Sequence, residues 1–221
     1  MTTERLITIE CPVCEEEFET HVLMSTNTMG YPDLDLRPAE MQRSTMYISI
    51  NECPSCGYAG FDFYNKPAID EEYLKTDEYQ NCDGIEFKSD RSKPFYKAYL
   101  INKKEGNKGG EINLLLHSIW SCDDAEDLEN AKRLRIRASE LLGEIISNIE
   151  KYESLGDEST LLLMKADLMR RGGQFEELIE EYENITFEES QLNDIVQFQI
   201  EKAKEKDDNC YTVASVINRS N

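Results

Sequence analysis

Two cysteine pairs with the same internal spacing, Cys11-Pro-Val-Cys14 and Cys53-Pro-Ser-Cys56, constrain this chain more than any other feature. Thiols spaced this way either cycle between thiol and disulfide or hold a metal. Redox pairs of the thioredoxin kind use one CxxC at a helix N-terminus inside an alternating strand and helix pattern, and nothing around residues 11–56 alternates so. Each pair here follows a strand-like segment instead. RLITIE precedes the first, and MYISIN precedes the second, with Met46, Ile48 and Ile50 on one face by period-two alternation. A strand running into a CPxC turn is a zinc knuckle: proline stiffens the turn, and Gly57 lets backbone amides point at sulfur with no Cβ in the way. Four thiolates from two knuckles satisfy one tetrahedral Zn²⁺. Cys11, Cys14, Cys53 and Cys56 are therefore the expected ligands of one structural zinc, whose closed shell leaves no position for a catalytic water.

The 38 residues between Cys14 and Cys53 exceed the roughly 15 to 20 of a compact ribbon, so the insert must fold back. EFETHVLMST reads as a strand returning from the first knuckle, GYPDLDLRPAEM as a turn with a helical start at Pro38, and STMYISIN as the strand that brings in the second knuckle. The polar insert, Asn27 to Thr45, carries Asp33, Asp35, Arg37, Glu40 and Arg43. They read as a local ion-pair set around turn residues Asn27 and Gly30; the alternative is a polar binding face beside the knuckles. His21 is a conceivable ligand made superfluous by the four cysteines.

The other three cysteines stand alone. Cys82 sits in a turn context, and Cys122 and Cys210 where helices meet turns; isolated thiols read as small core residues. A second site of Cys122, Cys210 and His117 is the rival reading. EGNKGGE resembles a phosphate loop only in its glycines and reads as a flexible loop. With two histidines, no HExxH and no GxSxG, no catalytic set can be assembled.

Charge narrows the partners. Lys plus Arg number 24 against 45 Asp plus Glu, a net charge of -21. Residues 1–66 alone hold four basic residues (Arg5, Arg37, Arg43, Lys66) and eleven acidic ones, before a zinc tetrathiolate adds its own negative charge. Such a field repels phosphate backbones and offers no counterion release, so nucleic acid is excluded as a partner and a basic protein or peptide is favoured. No apolar run approaches the roughly 20 residues of a membrane span, and MTTERLITIE lacks the apolar core of a secretory signal; the expected compartment is the cytoplasm.

From about residue 67 the hydrophobic period lengthens. In LENAKRLRIRASELLGEIISNIEKY, residues Leu128, Ala131, Leu134, Ala138, Leu141, Leu142, Ile145 and Ile149 recur three and four apart, as on one face of a helix. KPFYKAYLINK, EINLLLHSIW, ESTLLLMKADLMRR, QFEELIEEYENI, SQLNDIVQFQIEKAK and a short DNCYTVASVI complete the helical set. The expected class is α+β: a β-rich zinc-ribbon-like module over 1–66, then an all-α domain over 67–221. One pair is distinctive. Small Ala166 lies where two helices approach, Gly173 ends the first, and Phe175, Leu178, Tyr182 and Ile185 line the second, an order that resembles a tetratricopeptide (TPR) helix pair.

Cys11, Pro12, Cys14, Cys53, Pro54, Cys56, Gly57, Tyr58 and Ala59, followed by helices with a TPR-like pair, resemble the uncharacterised prokaryotic proteins grouped as domain of unknown function 2225. The resemblance implies a zinc-binding module joined to a helical domain, and carries no activity with it. The expected function is a non-enzymatic adaptor, with zinc as a folding staple and helices presented to a protein or peptide. The rival is an enzyme or metal-responsive regulator using the polar insert and the single cysteines.

Overall fold

The computed structural model describes residues 1–217. It is α+β, a small N-terminal sheet followed mostly by helices. Two compact units account for it: residues 1–29 with 40–130, and residues 30–39 with the chain from Ala131 onward. The change of hydrophobic period at residue 67 falls inside the first unit.

That unit opens with an antiparallel ribbon, β1 (Thr3–Glu10) and β2 (Glu17–Ser25), joined by the first CPxC turn. Its register pairs Ile7 with Thr20 and Ile9 with Phe18. These residues and Val22 are half-buried, whereas Glu4, Thr8, Glu10, Glu17, Glu19 and His21 on the opposite face meet water. The strands expected over RLITIE and EFETHVLMST are thus present.

The strand expected over STMYISIN is not. A 3₁₀ turn at Arg43–Thr45, closed by the Thr45 hydroxyl donating to the Gln42 carbonyl at 2.7 Å, runs into the short helix α1 (Met46–Ser49). Only β3 (Asn51–Glu52) is paired as a strand, because its partner β4 (Ala59–Gly60) is itself two residues long. With no ladder to join, residues 43–49 satisfy their backbone groups within helical turns. No helix starts at Pro38 either; helical structure begins at Arg43.

Short capped turns follow. Thr76 caps α2 (Asp77–Gln80) by accepting from the Tyr79 amide, which fixes the fully buried Tyr79 side chain. Two long helices come next, α3 (Lys93–Glu105) and α4 (Lys108–Asp124). They run antiparallel: Ser92 and Ser121 share a buried hydrogen bond of 2.6 Å, and Phe95 stacks on His117 at 5.5 Å. Their inner faces, including Tyr96, Tyr99, Leu100, Leu115, Ile119 and Cys122, form the core of this unit. The glycine loop expected at EGNKGGE shrinks to Gly106 and Asn107, because Asn107 caps α4 by accepting from the Gly110 amide at 3.1 Å. Gly110 cannot carry a Cβ without striking the Asn102 side chain.

In the second unit, α5 (Leu128–Ile146) buries Ala131, Leu134, Ala138, Leu141, Leu142 and Ile145 as its period demands; Leu128, expected in that stripe, is 63% exposed at the helix start. Helices α6 (Glu158–Arg171) and α7 (Phe175–Tyr182) are joined by Gly172 and Gly173, the latter at φ +83°. Leu163, Ala166 and Met169 of α6 pack with Leu178 and Tyr182 of α7 and with Val196, Ile200 and Ala203 of α8 (Ser190–Lys204). The Tyr182 hydroxyl donates to the Leu162 carbonyl at 2.8 Å. A last turn, α9 (Val213–Ile217), brings Val216 against Phe198 and Leu34.

Leu34 belongs to the polar insert, whose buried charges also reach a distant partner. Asp33, Asp35 and Arg37 are buried within the helical unit. The Asp35 carboxylate accepts from the Arg37 amide and, 136 residues away, from Arg171, both at 3.1 Å. Next to it, fully buried Arg170 donates to Asp167, to Gln199 and to the Asp207 and Asn209 carbonyls at 2.6 to 2.9 Å. Charges this deep are tolerated only when paired and hydrogen-bonded, and the sequence supplies both signs in one place.

Candidate metal centre

Both knuckles close by the same pair of backbone hydrogen bonds. In the first, the Glu15 amide donates to the Cys11 carbonyl at 3.0 Å and the Cys11 amide to the Glu16 carbonyl at 2.9 Å. In the second, Gly57 donates to Cys53 at 2.9 Å and Cys53 to Tyr58 at 2.8 Å. The fourth residue after the leading cysteine must take a positive φ for this closure, +62° at Glu15 and +74° at Gly57. Each turn follows a strand end, β1 or β3, and points its two sulfurs the same way.

All four sulfurs then converge to within 4.8 Å of one another. Cys11 Sγ lies 3.7 Å from Cys56 Sγ, and Cys14 Sγ 3.6 Å from Cys53 Sγ. These separations exclude a disulfide, which needs about 2.05 Å. They match the edges of a tetrahedron with metal–sulfur bonds of about 2.3 Å, roughly 3.8 Å. The donor set therefore fits a metal ion. Cys11 and Cys53 are buried, Cys56 is half-buried and Cys14 is exposed.

Burial pushes the Cys11 and Cys56 thiols up; at Cys14 burial acts the same way but is outweighed by the Glu16 amide and the neighbouring thiols, which pull it down. A metal ion would convert these thiols to thiolates, so its binding is coupled to proton release.

Residues 52–59 are gripped from behind by helices. The Tyr79 hydroxyl donates to the Gly57 carbonyl at 2.8 Å while its oxygen accepts from the Ala59 amide at 3.1 Å. Burial drives this phenol far above its usual range, so it keeps its proton. Lys97 of α3, itself buried, pairs with Glu52 at 2.6 Å and lies 5.5 Å over the Tyr79 ring. Glu52, Gln80 and Lys97 line a cleft of about 410 Å³ against the second knuckle. Neither Tyr79 nor Lys97 was singled out by sequence; the one visible hint was Glu52, adjacent to Cys53.

The remaining candidates lie elsewhere. His21 is on the solvent face of the ribbon, 3.4 Å from Glu4. His117 sits among Phe61, Phe95 and Trp120. Cys82 and Cys122 are buried and Cys210 is exposed. Among the described residues, the four-cysteine set is the group of three or more His, Cys, Asp or Glu side chains close enough to share a metal. No described helix is long and apolar enough to cross a membrane.

A family model described as an uncharacterized protein conserved in bacteria, DUF2225, matches residues 7–210, which takes in all four clustered cysteines and most of the helices. The chain belongs to that family. No curated protein matches it, and no solved structure does.

Proposed function

We propose that this DUF2225 protein is a zinc-stapled, non-enzymatic adaptor. One structural Zn²⁺ bound by Cys11, Cys14, Cys53 and Cys56 organises a ribbon-like module within residues 1–66, and the helices of residues 67–221 present a TPR-like surface to a basic protein or peptide. The observation that carries the metal reading is the convergence of the four sulfurs, all within 4.8 Å of one another, with two separations of 3.7 and 3.6 Å close to the roughly 3.8 Å edge of a tetrathiolate zinc centre. Four protein ligands fill the coordination shell, so the ion supplies folding free energy, on the order of 10 kcal/mol, with no open site for substrate.

Charge supports the partner class. From residue 172 to residue 201 there are nine acidic residues and no basic one. Glu176, Glu177, Glu180, Glu181 and Glu183 are exposed on or beside α7. The packing of small Ala166 against α7 and α8, and the glycine turn between α6 and α7, support the TPR-like reading.

Elemental analysis of the purified chain tests the metal: one tightly held zinc per chain is expected. Two metals, or one that exchanges readily, favours the rival enzyme or metal-responsive regulator. For the adaptor, binding to arrayed Lys/Arg-rich peptides should weaken as salt rises, as screening of an acidic surface requires. Uniform failure to bind them sinks the basic-partner reading.

A further inference from the structure

The two knuckles are chemically alike but differently supported. The first lies at the tip of the β1–β2 ribbon, and among residues 1–25 the buried apolar side chains are Cys11 and Val13, both in the knuckle. A two-stranded ribbon is marginal alone. Its side-chain ties to the rest of the unit include a hydrogen bond from Thr20 to Asn51 at 2.5 Å and the edge-on contact of Phe18 with Phe63 at 5.7 Å. The second knuckle is held on the far side of its sulfurs by fully buried Tyr79, which bonds to the residues just after Cys56, and by the Lys97–Glu52 pair on the residue just before Cys53.

We propose that Tyr79, assisted by Lys97 and Glu52, is a positioning residue that holds Cys53 and Cys56 ready for metal, so that the ion is captured first by this half-site and the ribbon then closes Cys11 and Cys14 onto it. This rests on the zinc reading above. The reasoning is one of ordering cost. Tyr79 occupies the place of a backbone partner for a strand only two residues long, satisfying one donor and one acceptor of the knuckle without help from the ribbon. Groups behind the ligands that fix their orientation typically contribute 10 to 100-fold to metal affinity. Among the described residues no side chain holds the backbone of the first knuckle as Tyr79 holds the second, so its sulfurs gain order only as they bind.

Cobalt(II) uptake by the full chain tests the order, with thiolate-to-metal charge-transfer absorption counting bound sulfurs. Cys11→Ser/Cys14→Ser is expected to retain a two-thiolate cobalt complex, and Cys53→Ser/Cys56→Ser to bind at least tenfold more weakly. Tyr79→Phe keeps the ring but loses both hydrogen bonds; it should speed zinc release to a chelator about tenfold and lower cobalt affinity while leaving the helical circular dichroism intact. If Tyr79→Phe loses that helical signal, Lys97→Met replaces it, with faster release expected and Lys97→Arg restoring it. Equal affinities of the two half-sites, tighter binding by the Cys11/Cys14 half, or unchanged release from a folded Tyr79 or Lys97 variant would overturn the proposal while leaving the zinc site standing. Absence of metal from the wild-type chain would remove the zinc reading and this proposal together.

Discussion

Replacing the residue at the same place in each knuckle should move stability in opposite directions. Gly57 and Glu15 both occupy left-handed backbone, at φ +74° and +62°. A side chain in that region costs about 1–2 kcal/mol. A glycine instead leaves the unfolded chain freer, which costs about 0.4–1 kcal/mol. At Gly57 a Cβ would sit 3.6 Å from Gln80 Nε2 and 3.7 Å from Lys97 Nζ, ordinary contacts, so backbone strain alone decides. Gly57→Ala is therefore expected to destabilise by about 1 kcal/mol. Glu15 is exposed and donates only its backbone amide to the turn, so Glu15→Gly is expected to stabilise by about the same amount. For a unit of this size, each change shifts the midpoint of thermal unfolding by about 4 °C. Scanning calorimetry of the metal-loaded chain measures both, and the double variant should return close to wild type. A Glu15→Gly variant that melts lower than wild type would show that the knuckles are not equivalent, and the shared closure would lose its explanatory value.

Removing zinc with a strong chelator should make residues 1–25 accessible to protease while α3 and α4 stay protected, read by mass spectrometry of limited digests; a ribbon that resists cleavage without metal refutes the staple. Arg171→Ala, which removes the guanidinium from the buried Asp35 carboxylate, should cost about 3 kcal/mol in denaturant unfolding, with Asp35→Asn/Arg171→Met recovering part of it. Asp207 is held down at about 2: burial opposes this, but hydrogen bonds from Tyr211 and Asn209 and the Lys202 ammonium prevail. Its stabilising contribution, about 1 kcal/mol once solvent screening is allowed for, is complete above the unfolded carboxylate value near pH 4 and is lost as pH falls toward 2, so Asp207→Asn should flatten the acid limb of the stability profile.

What the sequence made legible follows the range of the forces involved. A CPxC knuckle is decided within six residues, and both could be read from their cysteines, prolines and Gly57. Helices α6 and α8 match the segments read from their period, Glu158–Arg171 and Ser190–Lys204, because Asp157 caps one and both bury a continuous stripe. Residues 46–49 form a helical turn although Met46, Ile48 and Ile50 alternate like a strand; so short a run cannot reveal that β4 is too brief to pair with it. The fate of the insert was invisible for a different reason. Asp35 finds its partner 136 residues along the chain, and nothing near DLDLRP distinguishes a distant arginine from the adjacent Arg37. A single tyrosine such as Tyr79 in a four-residue helix leaves no periodic signal in the sequence.

The charge of the module sharpens the case for metal as a staple. Glu10 faces Glu17 directly across the ribbon, and Glu15 and Glu16 lie between them in the turn, so four carboxylates crowd the first knuckle. Like charges opposite one another in a sheet destabilise it. A tetrathiolate zinc adds two further negative charges beside them, which is unfavourable for the ribbon unless the bonds to the metal exceed that repulsion. In the proposed zinc site they would do so by a wide margin, because coordination contributes on the order of 10 kcal/mol whereas exposed like-charge pairs cost tenths of one. The acidity of this hairpin is therefore a minor opposing term beside coordination, and it places negative charge outward, on the face directed away from Ile7, Ile9 and Phe18.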